Sequence, residues 1–403
     1  IIFFLTVGSI YFFIKKIKIK LNYINITLLL YFLILILSSL INFEVIGGVN
    51  LVKSIFLLRF FLLYIFIETL FYDQKLKLKY FFNICLILVL FLSLDLILQF
   101  LNGANIFGYE PWEGRITGVF HSEAIAGAYI QKTFIFSIIS IISLVYSSIK
   151  KKSLFITASF IVIIFASFIA SNRISFLILF ITVLFLIFFY KILKKKLIIS
   201  LLVLLPIFYH FYQIDNQVNS RYKGFINKIS QLKEFTKSNT ISKNDITKDN
   251  INIEKEIKIN SLPNHGKIFL TAYMSFQENI FLGNGMKSFR YKCKKFLDQK
   301  NTLCSTHPHN YHLEILHSTG LIGFLVMSIF VLLLLTKAIK LTFSKELTHN
   351  QKIVLSLLII NFLIEIFPFK STGSIFTSWN GTMVWLSIAL INYKNYKNNY
   401  DKK

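Results

Sequence analysis

Long, nearly uninterrupted apolar runs limit what this chain can fold into more than anything else in it. Segments such as ITLLLYFLILILSSLI (26–41) and FLILFITVLFLIFFY (176–190) have no polar face for water. A helix needs roughly 20 mostly apolar residues to cross a bilayer. The chain offers about eleven such runs, near 1–14, 22–43, 50–72, 80–102, 123–148, 153–171, 174–191, 197–213, 311–336, 351–369 and 374–392. With 55% hydrophobic residues and a mean hydropathy of +0.63, the composition is outside the range of soluble domains. A transmembrane β-barrel is excluded, because its strands are about 10 residues long and alternate in polarity. The expected fold is all-α, a polytopic transmembrane helical protein of about 11–12 spans.

A net charge of +25 invites a nucleic-acid reading, but the distribution of that charge argues against it. Lysines cluster between spans, as in KKIKIK, QKLKLK, KILKKK and KAIK, while alternate connections such as EVIGGVN are nearly free of them. This is the positive-inside pattern. It sets cytoplasmic loops near 15–21, 73–79, 149–152, 191–196 and 337–352, with the C-terminus on the same side. Segments 44–50, 103–122, 170–174, 206–310 and 366–373 fall on the outer side. By this count the first span runs outside to inside, so one more N-terminal helix is expected, with both ends cytoplasmic. The reading divides the chain into N-terminal spans (1–205), one large outer loop (206–310), and C-terminal spans with a cytoplasmic tail (311–403).

The middle of the outer loop is lysine- and asparagine-rich with weak periodicity. The stretch HGKIFLTAYMSFQENIFLGNG then reads as an amphipathic helix closed by a turn at Gly283 and Gly285. Cys293 and Cys304 both lie in this loop, where an oxidising compartment favours a short-loop disulfide over two free thiols. Cys85 lies within a span and reads as packing.

Of the 44 Lys and Arg residues only five are arginine: Arg59, Arg115, Arg173, Arg221 and Arg290. A chain that uses lysine wherever either cation serves should keep arginine where a planar, bidentate fork is needed, as for phosphate. Four of the five fall on the outer side, which points to an anionic substrate there; scattered local salt bridges are the alternative. Arg59, Glu68 and Asp95 read as an intramembrane polar network that orients helices.

The segment HPHNYHLEILHSTGLIGF (307–324) places four histidines where a span begins. Pro308 and Asn310 signal a helix start. A neutral imidazole at that end can serve as a general base. Gly320 and Gly323, one turn apart, leave room for a neighbouring helix. Zinc held by His307, His309 and His312 is an alternative, though no HExxH occurs; a structural interfacial cluster is another.

Here the chain resembles a known family. His309-Asn310, nine residues, then Gly320-Leu321-Ile322-Gly323 looks like the H-N-x9-G-x-x-G signature of the O-antigen ligase and polymerase family, which also contains protein O-oligosaccharyltransferases. RITGVFHSEAIAGAY resembles that family's R-x-x-G-x-F outer loop. ASNRISFLILF resembles its S-R-G span entry, with Asn172 and Ile174 flanking the arginine instead. IFLGNGMKSF resembles the turn before its histidine motif. The likeness runs in order from about 110 to 390. It implies a GT-C-type, metal-independent glycosyltransferase without cofactor in the bacterial inner membrane, its active site facing the periplasm. The donor would be a glycan on undecaprenyl diphosphate, and the acceptor lipid A–core (ligase) or another lipid-linked glycan (polymerase). It also implies His309 as base, with Arg173 and Arg221 holding the donor diphosphate, Arg115 in the outer loop, and Lys267 at the basic position that opens the loop helix. His307, His312 and His317 are expected to tolerate alanine better than His309. A polysaccharide transporter is the rival from another class, but neither repeat symmetry nor paired broken helices are visible.

Overall fold

The computed structural model describes residues 22–72, 78–145, 151–170, 172–215, 219–220, 222–224, 263–299 and 301–392. Among these it contains thirteen α-helices and no named strand. We number them α1 (Tyr23–Ile41), α2 (Phe43–Phe56), α3 (Leu58–Tyr72), α4 (Leu78–Asn102), α5 (Ala126–Val145), α6 (Lys151–Ile169) and α7 (Arg173–Phe189). They continue as α8 (Lys191–Ile214), α9 (Asn264–Phe276), α10 (Phe289–Lys292), α11 (Tyr311–Phe343), α12 (His349–Glu365) and α13 (Ser378–Ile391). Six helical stretches are long and apolar enough to cross a membrane, and α6 and α7 are shorter apolar helices. The fold is all-α and polytopic, as the apolar runs require.

Helix α4 shows why this is a membrane fold. Phe82 and Val89 on one face are fully buried, whereas Ile87 (63% exposed) and Leu101 (67%) on others are not. A helix apolar on every side, with such residues uncovered by protein, is suited to lipid.

The chain divides into two compact units, residues 77–241 and residues 1–76 with 242–403. In the first, α5 is central and packs against α4, α6 and α7. In the second, α11 packs against α1, α9 and α12, and α3 against α13. The expected outer loop at 44–50 is instead largely helical, lying in α2, where only Gly47 (φ +70°) departs from helical geometry. The lysine-rich 191–196 segment, expected as a loop, opens α8, and only Tyr190 separates it from α7. Helix α8 also runs through Pro206 to Ile214, past the expected start of the outer loop. Lysine and leucine, which dominate 191–205, are good helix formers, and the helix continues through Pro206 despite its missing N–H.

The expected polar network in the spans separates into local ones. Glu68 accepts from Asn22, Asn25 (3.1 Å) and Asn392 (2.8 Å). Arg59 donates to Ser378 Oγ (3.0 Å). Asp95 accepts from Ile106 N (3.0 Å) and Asn105 Nδ2 (3.3 Å), closing the loop after α4.

Candidate active site

The start of α11 is built by a break in the helix itself. Gly320 sits at φ +64°, outside helical geometry, inside what is otherwise one 33-residue helix. The turn at 280–285 fills the gap: Leu321 N donates to Ile280 O (2.7 Å), Ile322 N to Phe281 O (3.2 Å), Asn284 N to His317 O (2.9 Å) and Gly285 N to Ser318 O (3.0 Å). Backbone groups orphaned by the break are therefore paired within the protein, as a membrane setting demands. Side chains are excluded at the contact. A Cβ on Gly320 would clash with Phe281 O, and one on Gly283 (φ +73°) with Gly320 N. Gly320 thus admits a backbone turn, not the neighbouring helix expected from sequence. Gly323 does face a helix, since a Cβ there would come 3.3 Å from Ile34 of α1, besides meeting Thr319 of its own helix. Gly285 (φ +82°) seats the turn on α1, where its N–H donates to Ser38 Oγ (3.0 Å).

His317, buried, fastens this assembly from inside: Nε2 meets Ser275 Oγ of α9 (2.9 Å) and Nδ1 meets Ser288 Oγ (3.4 Å). A small core of Ile268, Ala272, Phe289 and Cys293, with Leu303, Cys304 and Leu313 against it, joins α9, α10 and α11. Cys293 and Cys304 form a disulfide across it (Cα–Cα 5.2 Å), and Cys85 is a buried free thiol.

His309 lies just before α11 in a left-handed conformation (φ +56°), uncommon for a non-glycine residue though histidine adopts it more readily than most, and its surroundings hold it there. Those surroundings come from the link between α12 and α13. Thr372 N donates to His309 O (2.8 Å). Asn310 caps α11 by accepting from Leu313 N (3.1 Å), and its Nδ2 donates to Pro368 O (2.6 Å) and Lys370 O (3.3 Å). His312 Nε2 meets Ile366 O (2.6 Å). The link is itself held by a buried ion pair, Lys370 Nζ to Glu365 Oε2 (2.9 Å), with Tyr311 Oη donating to Glu365 Oε1 (2.9 Å). Sequence reasoning passed over this clasp because its contacts are mostly to backbone carbonyls.

The His309 ring is half-buried, with Nε2 3.1 Å from Ser305 Oγ. It lies tilted against His307 (ring centroids 4.0 Å) and meets the edge of His265 (5.0 Å). Burial, and next the charge of His265, hold the His309 imidazole below the usual histidine range, against a backbone hydrogen bond at Thr372. Burial, then His309, pushes His307 down to about 4. Both rings are therefore neutral at neutral pH, the form that accepts a proton. His265 and Ser305 were not singled out from sequence, although His265 stands two residues before Lys267. Lys267 lies half-buried in the first turn of α9. Among the described residues no three His, Cys, Asp or Glu side chains converge as metal ligands.

The remaining candidates belong to the other unit. Arg173 is the first residue of α7, half-buried. Asn172 before it donates to Ala124 O (2.9 Å), and Gly127 allows the start of α5 to approach, since a Cβ there would meet Asn172 Cβ at 2.6 Å. The Arg173 charge acts on Tyr222, whose Oη donates to Phe168 O (3.0 Å) and whose ring stacks on Phe168. Arg221, one residue earlier, lies outside the described residues. Arg115 is exposed, in a tight Trp112–Arg115 turn with its guanidinium 6.0 Å from the Trp112 ring. Gln99 organises that loop by accepting from Thr117 N (2.9 Å) and Gly118 N (2.8 Å).

Taken with the apolar helices, these features define a multi-pass membrane protein whose polar chemistry collects where a broken helix begins. A family model described as O-antigen ligase matches residues 157–328, which supports assignment of the chain to the O-antigen ligase and polymerase family. His309, Asn310, Gly320, Gly323, Arg173, Arg221 and Lys267 lie within the match, and Arg115 lies before it. No curated protein matches the chain. Proteins of that family are glycosyltransferase-like ligases or polymerases that act on a lipid-linked glycan and a glycan acceptor.

Proposed function

We propose that the protein is an O-antigen ligase that transfers a glycan from undecaprenyl diphosphate to lipid A–core at the periplasmic face of the bacterial inner membrane. The observation that carries this reading is His309: a neutral, half-buried imidazole in an imposed backbone conformation, beside Ser305, within the matched segment. Hydrogen bonds to Ser305 Oγ and to the Thr372 backbone orient the ring, and in its neutral form one ring nitrogen keeps a lone pair. That nitrogen takes the proton of the acceptor hydroxyl as its oxygen attacks the anomeric carbon of the donor sugar. The bond from that carbon to the diphosphate oxygen breaks, configuration inverts, and the lipid diphosphate leaves. A positioned base of this kind is worth roughly 10²–10⁴-fold.

The leaving diphosphate carries negative charge, which cationic donors offset without a metal. Arg173 and Arg221 are the proposed holders, with Arg115 and Lys267 assisting. Tyr222, adjacent to Arg221 in the chain, sits within electrostatic reach of Arg173, which supports pairing the two arginines.

Deleting the gene and examining the lipopolysaccharide tests the assignment. Loss of all O-chain with accumulation of lipid-linked polymer is expected. O-chains one repeat long would identify a polymerase, whose acceptor is another lipid-linked repeat. An unchanged lipopolysaccharide would remove both.

A further inference from the structure

In the unit that carries His309, Lys53 in α2, Arg59 in α3 and Arg290 in α10 lie within electrostatic reach of Lys287 in the turn before α10, and the buried Glu314 carboxylate is in reach of Lys287 and Arg290. Hydrogen bonds hold these elements in place. Asn50 Nδ2 donates to Tyr291 Oη (3.2 Å), tying α2 to α10 next to Arg290 and about one helical turn from Lys53. Met286 N donates to Ser39 Oγ (3.0 Å), pinning the turn that carries Lys287 to the end of α1. Arg59 is fixed by Ser378 at the start of α13. Lys287 itself is in the left-handed region (φ +56°).

Arg59, Lys287 and Arg290 are half-buried, and the Nε atoms of both arginines are buried without a partner. Among the described residues no carboxylate lies within ion-pair distance of any of the four. Lys292 and Lys295 nearby behave differently and share Glu278 at 3.1 and 2.6 Å. The charge of Glu314 reaches Lys287, but its carboxylate accepts from Ser374 Oγ (2.5 Å) and Ile375 N (2.8 Å). Burial, then Lys53 and Arg290, hold Lys287 below the usual lysine range. Crowded, part-buried like charges cost stability unless something outside the chain neutralises them.

We propose that Lys53, Arg59, Lys287 and Arg290 form a binding site for a phosphate or diphosphate group of a membrane lipid. The two guanidinium forks suit paired phosphate oxygens, and the lysines add point charges. The Arg290 charge also reaches His307, whose ring lies tilted against that of His309, which links the site to the proposed base. The site rests on the functional reading only for its source of phosphate: the donor's diphosphate, or phosphates on the acceptor lipid.

The test is calorimetric titration of inorganic pyrophosphate into the purified, detergent-solubilised full chain. Wild type should bind, the Lys287→Gln/Arg290→Gln double variant should bind about tenfold more weakly or worse, and Lys295→Gln should match wild type. Thermal unfolding is followed in parallel, because both cations act on the buried Glu314 carboxylate; if the double variant is destabilised, Lys287→Gln alone is compared. Equal affinity in wild type and variant, or no pyrophosphate binding by wild type, overturns the site. Steady-state transfer then identifies the source: a raised donor KM assigns the donor diphosphate, and a raised acceptor KM the acceptor phosphates. Should wild type transfer no glycan, the functional reading fails while the pyrophosphate titration still judges the site.

Discussion

His309 is set up by what surrounds it more than by what it is. Its ring is neutral because burial and His265 disfavour the cation, and the base must be neutral to act. Lowering the pH through the ordinary histidine range, near 6.5, should therefore leave turnover intact, with the acid limb of kcat/KM appearing below it. A limb at or above 6.5 in a pH–rate profile would contradict the assignment. His309→Ala should abolish transfer while leaving donor affinity nearly unchanged, since the base addresses the acceptor. Ser305→Ala should lower kcat less than this and shift the profile, because it orients the ring without taking the proton. The other histidines are not equivalent. His307 and His312 are half-buried and should tolerate alanine, but His317 is buried between Ser275 and Ser288. His317→Ala should cost about 1–3 kcal/mol, chiefly through the Ser275 hydroxyl left without its partner, since Ser288 Oγ still donates to Gly285 O (2.7 Å), and a lower Tm would show it. In the other unit, Arg173→Lys should be nearly as damaging to transfer as Arg173→Ala, because an ammonium cannot fork two phosphate oxygens. Near-wild-type activity of Arg173→Lys would show that only charge or packing is needed there.

At the level of elements, the informative feature is the broken α11. The sequence shows two glycines in an apolar run after His309-Asn310, and such glycines ordinarily mean close helix packing. That meaning holds for Gly323. Gly320 instead ends one hydrogen-bond ladder and begins another, with Ile280 and Phe281 supplying the carbonyls. No periodicity encodes such a handover, because the partners are backbone atoms forty residues away in the chain. The Gly283–Asn284–Gly285 turn was legible as a turn, but its docking against Gly320 was not. Gly320→Ala tests this arrangement. A left-handed non-glycine residue costs roughly 1–2 kcal/mol, and here the added Cβ also clashes with Phe281 O. The variant should lose thermal stability and transfer together, whereas Gly323→Ala meets mainly the Thr319 side chain and should be milder. The α12–α13 link is a second element that was not read from sequence. Its Glu365–Lys370 pair is buried, and removing one partner of such a pair costs about 3–5 kcal/mol, so Lys370→Ala should destabilise the clasp over His309.

For the whole molecule, helix content and membrane character were written in the apolar runs, since burial in lipid leaves no alternative to paired backbone. Ten of the eleven runs fall on helices, and the first lies outside the described residues. Chain order did not reveal how those helices group, because residues 1–76 join 242–403 and the contacts responsible are long-range. Sidedness follows from charge alone, and it governs the mechanism, since the base and the arginines must open to the same compartment to meet one substrate. Lysine-rich connections alternate with lysine-poor ones, which predicts that the loop after α4, the 206–310 segment and the link after α12 share the outer side. Single cysteines in a Cys85→Ala background test it, because the Cys293–Cys304 disulfide leaves no competing thiol. Glu110→Cys in the exposed loop after α4, and Ser238→Cys outside the described residues, should react with an impermeant maleimide in intact spheroplasts. Lys345→Cys, in the exposed connection after α11, should react only after lysis. If Glu110→Cys and Ser238→Cys label from opposite sides, the outer arginines and His309 cannot serve one lipid diphosphate, and the transfer mechanism proposed for them fails.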